Sequence, residues 1–318
     1  TILPEGRQWI AKKLGFKVNS HFTHCKNIEE VIEFWKKWQV KAKKEDYWID
    51  GVVVKVDSRR EQEVLGYTGK APRFGIAFKF HAKQATTKLL DIGIQVGRTG
   101  VLTPVAHLEP VVLAGSTVSR ATLHNEDEIA RLDLKIGDTV IIEKAGDVIP
   151  SVISVLKEMR TGHEKKFIFP DKCPVCGHRV VRLEGEAAHK CTNKNCLAKQ
   201  RRRLYYFTSK SAFDINHLGP KVVDLLADNG LVVAPADFFR LKLKDLEELP
   251  RFGEKSAENL IKALDERRTI SMPRLIISLG IPQVGEETAY DLAKHFKNIK
   301  ELSTATIEEL QKINGVGD

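Results

Sequence analysis

Two periodic patterns of hydrophobic and polar positions, one helical and one strand-like, occur in the first 83 residues of the chain. Between Asn27 and Gln39, large apolar side chains recur every three or four residues, which predicts an amphipathic helix capped by Asn27. These apolar positions are Val31, Phe34, Trp35 and Trp38. Residues 48–57 and 74–80 have the composition and alternation of β-strands. The block therefore predicts a mixed α and β domain.

Both predicted strands carry a lysine. In the first strand, alternation places Val53 and Lys55 on the face opposite Asp50, unless Gly51 forms a bulge. In the second strand, one set of residues faces a core and the other set shares the opposite face. The core set is Phe74, Ile76, Phe78 and Phe80, and the opposite set is Gly75, Ala77 and Lys79. A lysine above small residues can reach the phosphate of a ligand, although an exposed lysine on an amphipathic strand is also a common surface feature.

A second block, residues 84–158, has the pattern of a β-barrel. Strands are predicted at 88–97, 101–109, 111–121, 139–145 and 149–157, with a short helix at 125–132. Five strands with a helix between the third and fourth is the order of an OB barrel, a fold that often binds nucleic acid.

The last block, residues 207–318, is helical and repetitive. Four hydrophobic-glycine pairs are separated by 34, 32 and 32 residues, and apolar residues at helical spacing follow the first three. The glycines are Gly219, Gly253, Gly285 and Gly317. Each unit is predicted to consist of a helix, a hairpin and a second helix, whose amino terminus offers free N–H groups to a phosphate. We expect three complete helix-hairpin-helix units and a fourth truncated at its hairpin, binding duplex DNA through its backbone. A purely structural helical repeat is the alternative.

Four of the five cysteines lie between the barrel and the helical block. Their spacing is Cys173-x2-Cys176, fourteen residues, then Cys191-x4-Cys196, which predicts a closed tetrahedral site for structural Zn²⁺. The alternative is two disulfides in a secreted protein, but no segment resembles a signal peptide. Cys25 is expected to be an ordinary thiol.

Charge favours a polyanionic partner. The chain has a formal net charge of +9, and its hydrophobic fraction of 42% is enough for several cores. A basic run from Lys199 through Arg201, Arg202 and Arg203 leads directly into Tyr205, Tyr206 and Phe207. Basic and aromatic residues beside a zinc site are typical of nucleic-acid binding, although a solvated helix face has a similar composition. No apolar stretch approaches the roughly 20 residues that span a bilayer.

These motifs, in this order, resemble the bacterial NAD⁺-dependent DNA ligases. The resemblance rests on Asp50-Gly-Val-Val-Val-Lys-Val, Ala77-Phe-Lys-Phe, Val96-Gly-Arg-Thr-Gly, Ala121-Thr-Leu-His-Asn, Ala145-Gly-Asp-Val-Ile-Pro, the four cysteines and the hairpin repeats. It implies a multidomain α+β chain of four parts. The expected parts are the carboxy-terminal part of a nucleotidyltransferase (adenylation) domain at 1–83, an OB β-barrel at 84–158, a four-cysteine zinc finger at 159–206 and an all-α helix-hairpin-helix array at 207–318.

The resemblance also implies residue roles. Asp50 and Lys79 would be catalytic, with Asp50 near the metal and nucleotide and Lys79 on the AMP phosphate. Lys55 and Val53 would join Lys79 in binding the nucleotide. Lys70 and Arg73 would be secondary phosphate contacts among the DNA-binding residues, and Arg98 would lie against DNA near the nick. The expected DNA-binding set also includes Arg201, Arg202, Gly219, Gly253 and Gly285.

In this family, AMP passes from NAD⁺ to an active-site lysine and then to the 5′-phosphate of a nick, and the 3′-OH finally displaces it with the help of Mg²⁺ or Mn²⁺. The nucleophilic lysine lies in a Lys-x-Asp-Gly motif. Here Trp48 stands two residues before Asp50, where the motif has its lysine, and the tetrapeptide occurs nowhere in the sequence. We also expect the domain that grips the nicotinamide half of NAD⁺ and the BRCT domain to be missing. We therefore expect a ligase fragment that cannot adenylate itself.

The resemblance further predicts a monomeric cytoplasmic bacterial protein that acts on nicked double-stranded DNA in replication and repair, without a membrane. Two other hypotheses remain. A non-catalytic DNA-binding module accounts for the charge, the zinc ligands and the repeats, but not for the strands that contain Lys55 and Lys79. An RNA or mRNA-capping nucleotidyltransferase accounts for the strands and the barrel, but not for the zinc finger and the hairpins.

Overall fold

The structure is a computed structural model that describes residues 11–68, 71–80, 82–144, 150–250, 252–313 and 315–317. The chain divides into two compact units. The first comprises Thr1–Leu90, His107–Thr122 and Gly137–His163, and the second comprises Asp91–Ala106, Leu123–Ile136 and Glu164–Asp318. Lys70 and residues 145–149, on which part of the sequence interpretation depends, lie outside the described residues.

The predicted first helix is confirmed as α1, Ile28–Lys41, and it ends two residues later than expected. The side chain of Asn27 caps it by accepting a hydrogen bond from the Glu30 N–H at 3.0 Å. Acidic residues occupy its first turn and Lys41 its last, which complements the helix dipole. Trp35 and Trp38 are buried, as the apolar spacing predicts.

The two predicted strands form a separate antiparallel sheet of β1, Gly51–Lys55, and β2, Gly75–Lys79, with helix α2, Arg59–Leu65, between them. α1 packs on one face, where Trp35 stacks on Phe78 with ring centroids 4.6 Å apart. One expectation is wrong: Ile76 is 69% exposed instead of facing a core. Alternation puts it on the same face as Phe78, but α1 covers only the Phe78 end of that face.

The barrel and the finger contribute the remaining strands. They are β3 Lys83–Val96, β4 Val101–Leu113, β5 Ser116–Thr122, β6 Lys135–Ile136, β7 Thr139–Lys144, β8 Ser151–Val155, β9 Lys165–Lys166, β10 Val180–Arg182 and β11 His189–Cys191. Helix α3, Glu126–Leu132, lies between the third and fourth long strands, as predicted for an OB barrel. Seven strands pair in the order β10-β11-β4-β3-β7-β8-β5, and an additional β4–β5 pairing closes five of them into a barrel.

The boundary between the second and third barrel strands differs from the prediction. β4 runs through Pro110 to Leu113 instead of ending at 109. The reversal occurs at Ala114 and Gly115, whose φ angles are 51° and 78°. Two successive positive φ angles give the turn that matches the twist of adjacent strands. Pro110 therefore lies within β4 and not at the turn.

The finger pairs onto the barrel through β11, whose His189 and Lys190 lie opposite Leu102 and Val101 of β4. β10 pairs in turn with β11. Separately, β9 pairs with β6. The finger therefore extends the sheet beyond the barrel, which the cysteine spacing did not predict.

The carboxy-terminal block is helical, as predicted. Its helices are α4 Leu197–Thr208, α5 Pro220–Asp228, α6 Leu243–Glu247, α7 Glu254–Glu266, α8 Met272–Leu279, α9 Glu286–His295, α10 Ile299–Ser303 and α11 Ile307–Gln311. They enclose two apolar cores, one around Phe238, Leu246 and Leu260 and the other around Ile276 and Ala289. Within the described residues, no helix has both the length and the apolar character needed to cross a membrane.

Candidate functional site

Asp50 and Lys79 meet at one end of the two-stranded sheet. Gly51 lies opposite Lys79 in the antiparallel register, so Asp50 immediately precedes the lysine's partner. Asp50 Oδ2 is 3.2 Å from Lys79 Nζ, and both side chains are more than half exposed. Because an exposed ion pair contributes little to stability, both groups can exchange this contact for a phosphate or a cation.

Gly51 permits the close approach of β1 to β2. A Cβ at this position would lie 2.6 Å from Lys79 Cα and 2.7 Å from the Phe78 carbonyl oxygen. Both distances are shorter than real Cβ contacts, so only glycine fits. The register through Gly51 is continuous, so the bulge considered for it is absent. Gly51 therefore helps to set the position of Lys79 relative to Asp50.

Val53 and Lys55 share one face of β1, as alternation predicts, and the strand register places Lys79 on the same face of the sheet. Residues directly opposite in an antiparallel pair lie on the same side, and Val53 pairs with Ala77 and Lys55 with Gly75. The stem of Lys55 lies over Gly75, where a Cβ would be 3.5 Å from Lys55 Cγ. Ala77 and Lys79 are exposed. The result is an open strip with small residues between two ammonium groups, a surface suited to a phosphorylated ligand.

The segment before β2 is only partly described. Lys70, which is predicted to contact a phosphate, lies outside the described residues. Arg73 is exposed, and its backbone N–H donates to the Gly66 carbonyl at 3.0 Å. A bridge between Tyr67 and Pro72 closes this loop, so Arg73 emerges next to the strand that carries Lys79.

The structure brings the four cysteines of the predicted zinc site together. Their Sγ atoms all lie within 4.8 Å of one another, with Cys173 and Cys196 3.9 Å apart and Cys176 and Cys191 3.6 Å apart. A tetrahedron with Zn–S bonds of about 2.3 Å has sulfur–sulfur edges of about 3.8 Å. A disulfide needs about 2.05 Å, so these thiols are placed for a metal and not for two disulfides.

Hydrogen bonds from backbone N–H groups favour the thiolate form of some of these cysteines, which is the form that binds a cation. A hydrogen bond from the His178 backbone is the main reason that the pKa of Cys176 falls to about 6. Burial raises the pKa of Cys191 to about 12. Cys196 immediately precedes α4; burial raises its pKa, although backbone N–H groups of Lys199 and Ala198 donate to its sulfur. A bound zinc ion would keep all four groups as thiolates. The donor set has no open position, which suits structural zinc.

The predicted DNA-binding arginines have different surroundings. Arg201 is engaged internally: it donates to the carbonyl oxygen of Asp224 at 2.9 Å and forms ion pairs with the carboxylates of Asp224 and Asp228. Arg202 is exposed, next to Tyr205. Arg98 is half-buried, with its guanidinium carbon 3.7 Å from the ring centre of Tyr206. Of the three, Arg202 is the most accessible to a ligand.

The three hairpin glycines occupy equivalent positions. Gly219, Gly253 and Gly285 are the N-cap residues of α5, α7 and α9, and in none does a side chain cap the helix. Just before them, one backbone hydrogen bond recurs in all four hairpins. It runs from Leu218 to Ile215, from Phe252 to Leu249, from Val284 to Ile281 and from Val316 to Ile313. The predicted repeat is therefore confirmed as a repeat of backbone geometry.

Packing does not explain these glycines. A Cβ added at Gly219, Gly253 or Gly285 would meet no atom within 4 Å. Their φ angles are −77°, −94° and −90°, which any residue can adopt. Each hairpin instead offers uncapped helix N–H groups beside open space, a geometry that accepts the phosphate of a closely approaching ligand.

Sequence reasoning missed two positions at these sites. Gly51 was considered only as a possible bulge, and Tyr206 only as one of several aromatic residues. Nothing in the sequence links Tyr206 to Arg98, because their contact joins distant parts of the chain.

Comparison with protein families assigns most of the chain. The NAD-dependent DNA ligase adenylation domain matches residues 5–83, the OB-fold domain of these ligases 86–164, and their C4 zinc finger domain 172–198. A SAM-like helix-hairpin-helix tandem matches 210–266 and a helix-hairpin-helix motif 274–318.

Curated relatives agree along the chain. A DNA ligase from Thermotoga petrophila is 50% identical over 316 residues, covering 98% of this chain and 46% of the relative. DNA ligases from Carboxydothermus hydrogenoformans and Halalkalibacterium halodurans are 49% and 46% identical, covering 98% and 99% of this chain. The chain thus spans slightly less than half the length of these relatives. By the domains it contains and their order, the chain belongs to the NAD-dependent DNA ligase family.

Proposed function

We propose that this chain supplies the phosphate-binding strands, the barrel, the zinc finger and the hairpin array of an NAD⁺-dependent DNA ligase. The substrate is duplex DNA with a 5′-phosphate/3′-OH nick. The 5′-phosphate first receives AMP from an adenylated lysine, and the 3′-OH then attacks this phosphate, forming the phosphodiester and releasing AMP. We further propose that the protein acts as a monomer in the bacterial cytoplasm, in replication and repair.

The proposed domains are 1–83, 84–158, 159–206 and 207–318. The family matches support this division, although the barrel match continues to residue 164. The proposed DNA-binding groups are Arg73, Arg98, Arg202 and the three hairpin glycines. Arg201 is a weaker candidate because Asp224 and Asp228 already bind its guanidinium.

The open strip on β1 and β2 carries the proposed chemistry. Transfer of AMP concentrates negative charge on the phosphate, and fixed cations stabilise such charge. Lys79 neutralises the AMP phosphate, and Lys55 adds a second positive charge on the same face. Val53 lies between them as an apolar contact for the nucleoside. The exposed ion pair with Asp50 is weak, so Lys79 can release it when the ligand arrives.

Asp50 is also the proposed protein ligand for Mg²⁺ or Mn²⁺. Its exposed carboxylate is the oxygen donor that these cations prefer, and the bound cation would neutralise phosphate charge. A single carboxylate is a sparse donor set, which fits the tendency of Mg²⁺ to keep waters and substrate phosphates as ligands.

The observation that carries DNA binding is the open space at the hairpin glycines. Three residues that neither φ nor packing requires to be glycine stand at the same position of three hairpins. Close approach of a phosphodiester to the helix amino terminus would explain why these positions are glycine. Because hairpins of this kind contact the backbone and not the bases, binding should depend on salt and not on sequence.

The experiment is the sealing of a nick that already carries 5′-AMP, by this chain with Mg²⁺ and Zn²⁺. The step needs no Lys-x-Asp-Gly lysine, so we expect sealing above a no-protein control. Lys79→Met should abolish it, whereas Lys44→Met, at another exposed lysine, should not.

Absence of sealing together with tight, salt-dependent binding would favour a non-catalytic DNA-binding module, a reading supported by the lack of the Lys-x-Asp-Gly motif. Absence of binding would refute the proposal. Because the sequence lacks this motif, we also expect that the chain alone forms no lysyl-AMP. Mass spectrometry after incubation with NAD⁺ and Mg²⁺ tests this, and a lysine adduct of AMP would contradict it.

A further inference from the structure

The turn between β3 and β4 is held tightly by the zinc finger. Gly100 accepts a hydrogen bond from the N–H of the zinc-site residue Cys191 at 2.8 Å. A Cβ at Gly100 would come within 2.9 Å of the Cys191 carbonyl oxygen, and the stem of Lys199 lies against the same position. The backbone that carries Arg98 is therefore fixed by residues of the finger and of α4.

The side chain of Arg98 is held as well. Its guanidinium carbon lies 3.7 Å from the ring centre of Tyr206 in the last turn of α4. On another side is Gly280, the C-cap of α8 with a φ of +64°, where a Cβ would lie 3.0 Å from Arg98 Nη1. Tyr206 itself packs against the core around Ile276. We call Tyr206 and Gly280 the arginine socket.

The arginine socket leaves one hydrogen-bond donor of the Arg98 guanidinium without an acceptor. Nη1 is buried and has no hydrogen-bond partner among the described residues. A buried donor without an acceptor opposes folding, so this arrangement is not optimised for stability, and such strain is typical of functional positions.

The free donors of Arg98 indicate its ligand. Nη1 is buried, whereas Arg98 as a residue is only half-buried. An arginine stacked on an aromatic ring keeps its N–H groups in the plane of the guanidinium, pointing away from the stack. Phosphate oxygens match this geometry.

We propose that Tyr206 is a positioning residue that holds the Arg98 guanidinium for a DNA phosphate. The proposal rests on the proposed function, because it requires the chain to bind duplex DNA. It assigns a task to the helix that follows the zinc ligands: α4 begins directly after Cys196 and carries Tyr206 to the barrel turn. Arg98 makes the contact, and Tyr206 limits the orientations that the arginine can adopt.

The test measures binding of the chain to nicked duplex DNA over a series of salt concentrations. The variants are Tyr206→Leu, Arg98→Gln and their combination, with Tyr206→Phe as the matched control that keeps the ring. We expect Tyr206→Leu to raise Kd about tenfold and to lower the slope of log K against log salt by about 0.9, the contribution of one phosphate contact. Tyr206→Phe should match the original chain.

The combined variant separates positioning from general damage. If Tyr206 acts through Arg98, adding Tyr206→Leu to Arg98→Gln changes neither Kd nor slope, whereas a folding defect would add to both. An unchanged or lower Kd for Tyr206→Leu would overturn the proposal, since the stack would then restrain Arg98 away from DNA or have no effect on it. If the original chain binds no DNA at all, the proposed function fails and not merely this inference.

Discussion

Replacing Gly51 with alanine tests whether the close approach of β1 and β2 positions the candidate catalytic groups. The added Cβ would lie 2.6 Å from Lys79 Cα and 2.7 Å from the Phe78 oxygen, where ordinary contacts begin at 3.4 Å. The strands must separate by about 0.8 Å, and forced overpacking of this kind costs roughly 1–3 kcal/mol. We therefore expect a loss of that size in the free energy of unfolding of this region.

The assay uses the position of the tryptophans. All four, at residues 9, 35, 38 and 48, precede the barrel, and Trp35 stacks on Phe78 beside the perturbed contact. Urea unfolding followed by tryptophan fluorescence therefore reports on this region and not on the helical array. Sealing of the pre-adenylated nick should fall as well, because Lys79 moves relative to Asp50 although both remain.

Gly75 provides a matched control on the neighbouring strand. A Cβ there would meet only side-chain atoms, Lys55 Cγ at 3.5 Å and Pro72 Cγ at 3.6 Å. Gly75→Ala should thus leave the urea midpoint almost unchanged. If Gly51→Ala is as stable as the original chain, or if both variants lose stability equally, the steric reasoning is wrong.

Three further predictions concern the zinc site, the hairpins and pH. Cys176→Ser should lower bound zinc below one equivalent and weaken DNA binding, whereas Cys25→Ser, outside the cluster, should leave metal content unchanged; equal zinc in both variants would exclude Cys176 as a ligand. Gly219→Ala should weaken DNA binding with a stability change below about 0.5 kcal/mol, whereas Gly230→Ala, at a φ of +71°, should cost about 1 kcal/mol without affecting DNA; the opposite pattern would refute a phosphate site. Backbone N–H groups lower the pKa of Asp237, so its stabilisation is present above the ordinary aspartate pKa and is lost as pH falls through the lower folded value. Circular dichroism in urea should show Asp237→Asn destabilised by about 1 kcal/mol near pH 7, and the difference from the original chain should shrink as pH falls through the folded-state pKa of Asp237; a constant difference would contradict this.

Local patterns were sufficient for most elements. α1 follows from the spacing of Trp35 and Trp38, and its start from Asn27, because a cap and an apolar stripe are both properties of adjacent residues. The hairpin repeat was also readable, since each turn reuses the same few residues. The end of β4 was misplaced because the pairing between strands, which decides where a strand ends, cannot be seen in the sequence of one strand.

The candidate sites divide in the same way. The four cysteines could be assigned from spacing, because a metal restricts ligand type and separation. The face shared by Val53 and Lys55 followed from strand alternation. Arg201 and Arg202 could not be distinguished, since only the folded helix shows that Asp224 and Asp228 reach one of them.

The sequence by itself determined which elements form, which cysteines gather and which family the motifs resemble, because these depend on short-range spacing. The tertiary structure decided how segments distant in the chain meet: Gly51 against the backbone of Lys79, β11 beside β4, and Arg98 against Tyr206 and Gly280. Such contacts depend on strand register and helix packing, which the whole chain sets together, and no local pattern encodes them.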